Sequence, residues 1–432
     1  MRHGMIRRAA DHLLHRSAFR VLRHRSYFIY LSTDFVSNIG QWAFRVGVGW
    51  LAWDLTHSGL WLGIVAMMSA LPFFTILPIA GAIADRTNRL GIIRRTRTFG
   101  IGLTLLLFAL TLVGWIEIYG LCALTFLIAV NQTFTQPVRM TMAPSLVPRE
   151  DLAGAIGLNA GVQSSARFIG PAIGGLMIAG FGVASVFLLN AVSFLVSLAG
   201  LMSITVSVED QSDRRRGVFG DMVEGVRYAF THASIGPLLT LIFLVSILTR
   251  PILELFPGFN DDIFHKGPEG LGALMSAVGV GGILGSIFIS NFSRSKGLLT
   301  ASFLFMAATC LFVIVFATTN IFEVGLACVV ALGFCITCWQ STTNVLIQLS
   351  VEGKMRARVM SIYALTFRAC MSLGAMIAGA FSQVFGLQAP IAAGGLMALV
   401  ALVLFLPKRR KLADAFEAAL PAVGEPLKKA AE

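Results

Sequence analysis

Two carboxylates and four arginines stand deep inside stretches of this 432-residue chain that are otherwise continuously apolar. The acids are Asp34 and Glu254. The bases are Arg45, Arg167, Arg250 and Arg368. Charges in such surroundings are costly, and where they persist they mark a relay or line a wet cavity. A carboxylate that moves between wet and dry surroundings changes its proton affinity, because desolvation favours the neutral acid. Asp34, and after it Glu254, are therefore the candidate proton carriers. The arginines suit a carboxylate, phenolate or phosphate. Four cations against two anions leave the set net positive, which favours an anionic substrate.

Uncharged polar residues accompany them at helical spacing. Asp34, Asn38, Gln41 and Arg45 make one stripe; Asn159, Gln163 and Arg167 make another. Gln132, Thr135, Gln136 and Arg139 form a third, and Gln340, Thr343 and Asn344 share a face. Arg250 and Glu254 are four apart and can pair. Asp34 and Arg45 are separated by about 16 Å along a helix, too far for direct pairing. Arg167, Arg250 and Arg368 fall roughly 15–21 Å from the nearest basic ends of their helices, near the middle of a bilayer. These positions (Asn38, Gln41, Arg45, Gln132, Gln136, Asn159, Gln163, Arg167, Arg250, Gln340, Asn344 and Arg368) are the candidate cavity lining.

Other chemistries find no support. All seven histidines lie outside the apolar runs, and no nucleophile–His–acid set, phosphate loop or dinucleotide fingerprint occurs. An enzyme is not expected, nor a cofactor; a proton gradient is the expected energy source. Asp261, Asp262, His265 and Glu269 read as a solvated turn rather than a metal site. Cys335-x-x-Cys338 has zinc-knuckle spacing without a second pair, so both cysteines read as helix packing.

The elements that must carry these residues are membrane helices. Residues are 56% hydrophobic and only 13% charged, against about 25% charged in soluble domains. Twelve apolar runs are each long enough for about 30 Å of hydrocarbon: 28–53, 59–84, 97–116, 118–143, 153–179, 183–206, 236–258, 270–292, 298–318, 321–346, 358–385 and 388–406. They are continuously apolar rather than alternating, which excludes a barrel. The connections alternate between Lys/Arg-rich and Lys/Arg-free, with Arg97 and Arg139 counted at run ends. Counting the N-terminal segment as the first, the even-numbered segments between runs hold one basic residue, Lys266. By the positive-inside rule both termini are cytoplasmic. The net charge of +12 then sits where anionic lipid headgroups are, so lipids rather than nucleic acid are its partner. The leader 1–27 is basic and lacks the apolar core of a cleavable signal; a short interfacial helix and a merely basic segment both fit it.

The expected order is therefore a cytoplasmic segment 1–27, a six-helix bundle 28–206, a cytoplasmic loop 207–235, a six-helix bundle 236–406 and a cytoplasmic tail 407–432. The halves share a constant offset of 204. It places Gly81 on Gly285, Gln136 on Gln340, Gly170 on Gly374 and Gly175 on Gly379. Two repeats about an axis along the membrane normal, with a midplane site between them, is a transporter plan.

Gly81-Ala-Ile-Ala-Asp85-Arg86-Thr-Asn88-Arg89 resembles the G-x-x-x-D-R-x-G-R-R signature of the major facilitator superfamily, with Asn88 and Leu90 as departures. Gly157, Gly161, Ala166, Gly170-Pro171 and Gly174-Gly175 look like its antiporter motif. Leu55-Thr56-x-Ser58, Asn159 and Arg358-Val-Met-Ser361 narrow the likeness to the drug:proton antiporter branch that holds the enterobactin exporter and macrolide efflux proteins. The resemblance covers about residues 20–406. It implies an all-α membrane protein of twelve helices in two pseudo-symmetric bundles, a bacterial inner-membrane exporter of small molecules by proton antiport. It also implies a cytoplasmic gate of Gly81, Asp85, Arg86, Arg89 and Arg358. Gly81 is expected to admit a close helix crossing, and the glycine ladder Gly157–Gly175 to pack tightly around Pro171. Ile289 stands where the offset would repeat Asp85, so the gate is expected in the first half alone. An importer or lysophospholipid flippase on the same scaffold remains open, as does a non-transporting sensor. A monomer is expected.

Overall fold

The computed structural model describes residues 20–86, 89–204, 227, 235–291, 297–351 and 353–418. Among the described residues the regular structure is all helical. Helix α1 is Arg25–Thr56, followed by α2 (Gly59–Thr75), α3 (Leu77–Arg86), α4 (Arg89–Val113) and α5 (Ile118–Ser145). After a 3-10 turn at Arg149–Asp151 come α6 (Leu152–Phe181) and α7 (Ala184–Met202). Then follow α8 (Ile235–Thr249), α9 (Ile252–Gly258), a π-helical turn at Phe259–Ile263, and α10 (Pro268–Ser290). The series ends with α11 (Leu298–Thr318), α12 (Phe322–Ser350), α13 (Gly353–Phe385) and α14 (Gln388–Ala418).

Nine helical stretches among the described residues are long and apolar enough to cross a membrane, and the protein is multi-pass. Helices α1 and α6 are not among the nine although they run 32 and 30 residues. Their stripes (Asp34 to Arg45, and Asn159 to Arg167) lower their hydropathy. Two expected spans are broken. The run 59–84 divides at Ile76, whose N–H donates to the Pro72 carbonyl at 2.8 Å. Pro72 and Pro78 flank that joint, and a proline ring removes a helix donor and crowds the preceding turn. The run 236–258 divides at Arg250-Pro251 for the same reason. The run expected from residue 97 begins instead at Arg89, so Arg94, Arg95 and Arg97 are all helical.

The chain forms two compact units. One gathers the described residues up to 204 with Leu253–Gly279 and Ala375–Leu387; the other gathers the described parts of Arg216–Ile252, Val280–Gly374 and Gln388–Glu432. In the first, α1 packs along α6 and α7, and α4 packs against α5 and α7. Tyr27, Ile93 and Met142 are buried at one end of that packing. In the second, α11 lies against α12 and α14, around Met306, Trp339 and Ile347.

The 204-residue offset extends to the turns. Gly182 after α6 has φ +79° and Gly386 after α13 has φ +72°. They are 204 positions apart, and each reverses the chain in the left-handed region that glycine alone enters freely.

Candidate functional site

Asp34 is not solvated. It is 3% exposed and pinned from two other helices. Arg139 on α5 donates from Nη2 to Asp34 Oδ2 at 2.9 Å and to Asn38 Oδ1 at 3.1 Å. Asn38 returns its Nδ2–H to the same carboxylate at 2.9 Å. Arg97 on α4, 5% exposed, brings Nη2 to 3.9 Å from Asp34 Oδ1, with its guanidinium 4.7 Å from the Phe194 ring centroid. Tyr30 stands beside all three charges. The sequence reading counted Arg97 and Arg139 with the connections. The structure buries Arg97 and leaves Arg139 15% exposed at the side chain, whereas Arg45 and Arg167 are exposed; Asp34 thereby becomes the tie among α1, α4 and α5.

One turn beyond Asn38 on α1 a second site begins. Arg45 lies 5.1 Å from the Trp42 ring centroid and Arg167, on α6, lies 5.4 Å from it. Arg45 donates from Nη2 to Glu254 Oε1 at 2.9 Å. Glu254 was expected within reach of Arg250; its carboxylate serves Arg45. Arg167 has no carboxylate or hydrogen-bond partner among the described residues. Two guanidiniums thus flank one indole, and one is neutralised. A planar cation over a tryptophan face gains quadrupole attraction, which explains how two like charges are held together here. Trp42 was missed in the sequence, because a tryptophan in an apolar run looks like packing.

Gln41 donates to Ser37 at 3.2 Å. Gln132, Gln136 and Gln163 are half-buried with no side-chain hydrogen-bond partner among the described residues. Asn159 Oδ1 is buried and also lacks one. Such groups are left for water or solute, since buried polar atoms in proteins are otherwise paired.

In the second unit Arg250 lies 5.1 Å from the Phe367 ring centroid. Phe367 meets Tyr363 edge-on at 4.7 Å and Trp339 at 5.4 Å. The Tyr363 hydroxyl donates to the Gln340 carbonyl at 2.7 Å and lies 2.8 Å from Thr343 Oγ1. Gln340 and Asn344 are half-buried on that helix, and Arg368 is exposed.

The gate signature is placed only in part. The side chains of Asp85, Arg86 and Arg89 lie outside the described residues, as do residues 87–88. Arg358 sits within α13 and donates to Met355 Sδ at 3.4 Å. Gly81 meets open space where a Cβ would stand, so no close crossing stands there among the described residues. The glycine ladder also packs in only half its length. Gly157 and Gly161 face open space. Gly170 lies on the α1 backbone at Ile39 and Trp42, and Gly174 on Ala43. Pro171 is buried between them. Gly374, offset by 204 from Gly170, lies against the Ile247 carbonyl of α8.

Beyond Gly174, bare backbone meets bare backbone. A Cβ on Gly175 would stand 2.8 Å from Gly272 Cα, and one on Gly272 would stand 2.9 Å from Gly175 Cα. Gly59 and Gly379 oppose each other in the same reciprocal way, and a Cβ on Gly63 would fall 2.7 Å from the Ala375 carbonyl oxygen. Trp53, 2% exposed, donates its indole N–H to Asp261 Oδ2 at 2.8 Å. His57 Nδ1 lies 3.7 Å from the same oxygen, so Asp261 belongs to an interhelical tie as well as to its turn. All these contacts lie toward the helix ends joined by Lys/Arg-poor connections. At a Lys/Arg-rich connection, Asp151 receives Arg20 Nε at 2.8 Å and pairs with His24 Nε2 at 2.9 Å. The His24 hydrogen bond, reinforced by Arg20, holds the Asp151 carboxyl below its ordinary range.

A buried charge network, a two-arginine site and glycine-to-glycine helix crossings on an all-helical multi-pass chain invite comparison with known carriers. The sequence profile described as transmembrane secretion effector matches residues 16–429. The chain belongs to that family. It is a transporter of the major facilitator superfamily, of the efflux and secretion kind, and not an enzyme. It is 23% identical over 388 residues to the staphyloferrin A transporter of Staphylococcus aureus, covering 89% of this chain and 96% of that one. It is 24% identical over 351 residues to macrolide efflux protein A of Streptococcus pyogenes, covering 78% and 84%. Among solved structures, an inward-facing, unoccupied bacterial homologue of the human lysosomal transporter Spinster matches with a TM-score of 0.68 at 15% identity, covering 94% and 99%. That likeness concerns the fold.

Proposed function

We propose that this chain exports a small molecule bearing an anionic group, in exchange for protons, by alternating access in a bacterial inner membrane. The reading takes twelve spans in two halves, 28–206 and 236–406, with both termini cytoplasmic. The observation that carries it is the Trp42 site, where two guanidiniums share one indole and only Arg45 has a carboxylate. A carboxylate, phenolate or phosphate supplies the missing charge at Arg167. An aromatic or apolar body would lie along the indole. Siderophore and drug cargoes, named for the relatives above, are compatible classes.

The sign of proton coupling discriminates between the two candidate carriers. Protonating Glu254 frees Arg45, which strengthens the hold on an anion. By linkage, an anion and a proton then favour each other at that site. Exchange needs the opposite. Asp34 escapes this constraint, because it lies about 16 Å along α1 from Arg45 and acts through structure. Deprotonated, it ties α1 to α4 and α5; protonated, it releases Arg139 and Arg97 and lets those helices shift. Asp34 is therefore the exchange site, and Glu254 is the counter-ion that the cargo displaces. The closed glycine crossings fit a resting state sealed at the Lys/Arg-poor ends.

The test is uptake into inverted proteoliposomes under an imposed pH gradient, using carboxylate-, phenolate- and amine-bearing solutes. Arg167→Ala is expected to weaken binding of the anionic solutes by about tenfold or more, as expected for one charge-assisted contact. Glu254→Gln is expected to tighten it. Amine-bearing solutes moved in preference, with Arg167→Ala indifferent, would overturn the anionic reading. Anion flux in the wild type that ignores the pH gradient would overturn proton exchange.

A further inference from the structure

The outward face of α4 carries a groove of about 580 Å³ that the transport reading does not use. Arg94 and Arg95 stand at one end, and Phe99, Gly102, Leu103 and Leu106 continue along it. Phe99 is 58% exposed and Leu106 48%. Gly102 leaves open space where a side chain would be. The helix is two-sided: Arg97 turns inward to Asp34, whereas Arg94 and Arg95 have no carboxylate partner among the described residues. Arg94 is braced by donating to the Leu201 carbonyl at 2.8 Å, and its Nε is buried without a hydrogen-bond partner.

The dimensions select the occupant. From Arg95 to Leu106 the helix rises about 16 Å, half of the roughly 30 Å hydrocarbon core. An apolar trough one leaflet long, with two unmatched cations at its end, complements one amphiphile of opposite charge. Basic residues at this level attract anionic headgroups. We infer that α4 holds a single anionic phospholipid, its phosphate on Arg94 and Arg95 and one acyl chain laid along Phe99 to Leu106.

The full chain, purified with a phosphatidylglycerol and phosphatidylcholine mixture, can be weighed by native mass spectrometry for retained lipid. The wild type is expected to keep one phosphatidylglycerol in preference to phosphatidylcholine. Gly102→Leu places a side chain in the trough, starting from a Cβ that meets no atom within 4 Å, and is expected to lose that lipid. Arg95→Gln is expected to cut the preference for phosphatidylglycerol by about fivefold, the worth of one basic residue near an anionic surface. Gly180→Leu, at another glycine facing open space, is expected to retain the lipid. Melting temperatures of all three variants check that they remain folded. Equal retention of the two lipids by the wild type would overturn the inference. So would retention by Gly102→Leu, or an equal loss in Gly180→Leu.

Discussion

Asp34 does two things that a single residue seldom combines. It is the acid to which proton exchange is assigned under the proposed function, and it is the anion faced by buried Arg97 and part-buried Arg139. Removing one member of a buried charge set leaves the others desolvated without compensation. Asp34→Asn is therefore expected to destabilise the fold by about 3–5 kcal/mol, read as a lowered melting temperature in detergent. It should also abolish proton-driven flux while sparing ligand binding at Trp42. Glu254→Gln should leave melting almost unchanged, since its partner Arg45 is 43% exposed at the side chain and can rehydrate. A variant of Asp34 that melts like the wild type and still couples would remove it from both roles. A second titration lies outside the membrane, at Asp151. Its carboxyl is held below the ordinary 3.8 by His24 and Arg20. A depressed acid stabilises the fold fully above its unfolded value, and the contribution is lost as pH falls through the folded value. The stability difference between the wild type and Asp151→Asn, read as melting temperature, should thus be complete by about pH 5 and shrink as pH falls through the folded value.

At the scale of elements, the polar stripe of α1 shows how much was legible. Asp34, Asn38, Gln41 and Arg45 announce their shared face by spacing alone, and the structure divides that face between two sites. The partners across the helix interface were not legible. Nothing in the spacing of Arg97 or Arg139 says that both turn to Asp34, because both sit at run ends where arginine ordinarily reaches water. The breaks at Ile76 and Arg250-Pro251 were hidden in the reading of long runs, since hydropathy stays high through a proline. The glycine ladder misled in another way. Its residues repeat evenly from Gly157 to Gly175, yet only the stretch from Gly170 onward has a helix close enough to need them. Sequence periodicity names the face; the neighbour's distance decides whether smallness is used. Trp53→Phe tests a tie that no pattern revealed. Losing the indole N–H should leave Asp261 short of one charge-assisted bond, at a cost of about 1.5–3 kcal/mol, seen as increased labelling of a cysteine placed at residue 58.

Across the whole molecule, the offset of 204 gains physical content. Gly170 and Gly374 each lie on the backbone of another helix, Gly175 and Gly379 each make a glycine-to-glycine crossing, and Gly182 and Gly386 each turn the chain with positive φ. The likeness fails where charge enters: Arg139 falls on Thr343, and Asp34 on Leu238. The ion network of the first repeat is replaced in the second by the Tyr363–Thr343 hydroxyl pair. The proposed proton exchange then belongs to the first half of the offset alone, while the glycine contacts recur in both. Gly63→Leu should force its seam apart, at an overpacking cost of about 1–3 kcal/mol. Spin-label distances between residues 58 and 383 should lengthen and broaden, and an unchanged distribution would show that the seam yields without parting.

The paired glycine crossings have a consequence for how such a seam fails. Contacts between bare backbones rest on dispersion, whose reach is short. A gap of only 0.5–1 Å forfeits about a quarter to a half of that attraction. Resistance to separation is then concentrated in the first ångström of travel, after which the two surfaces scarcely feel each other. A carrier closed this way snaps rather than stretches, and half-parted forms should be scarce at any moment.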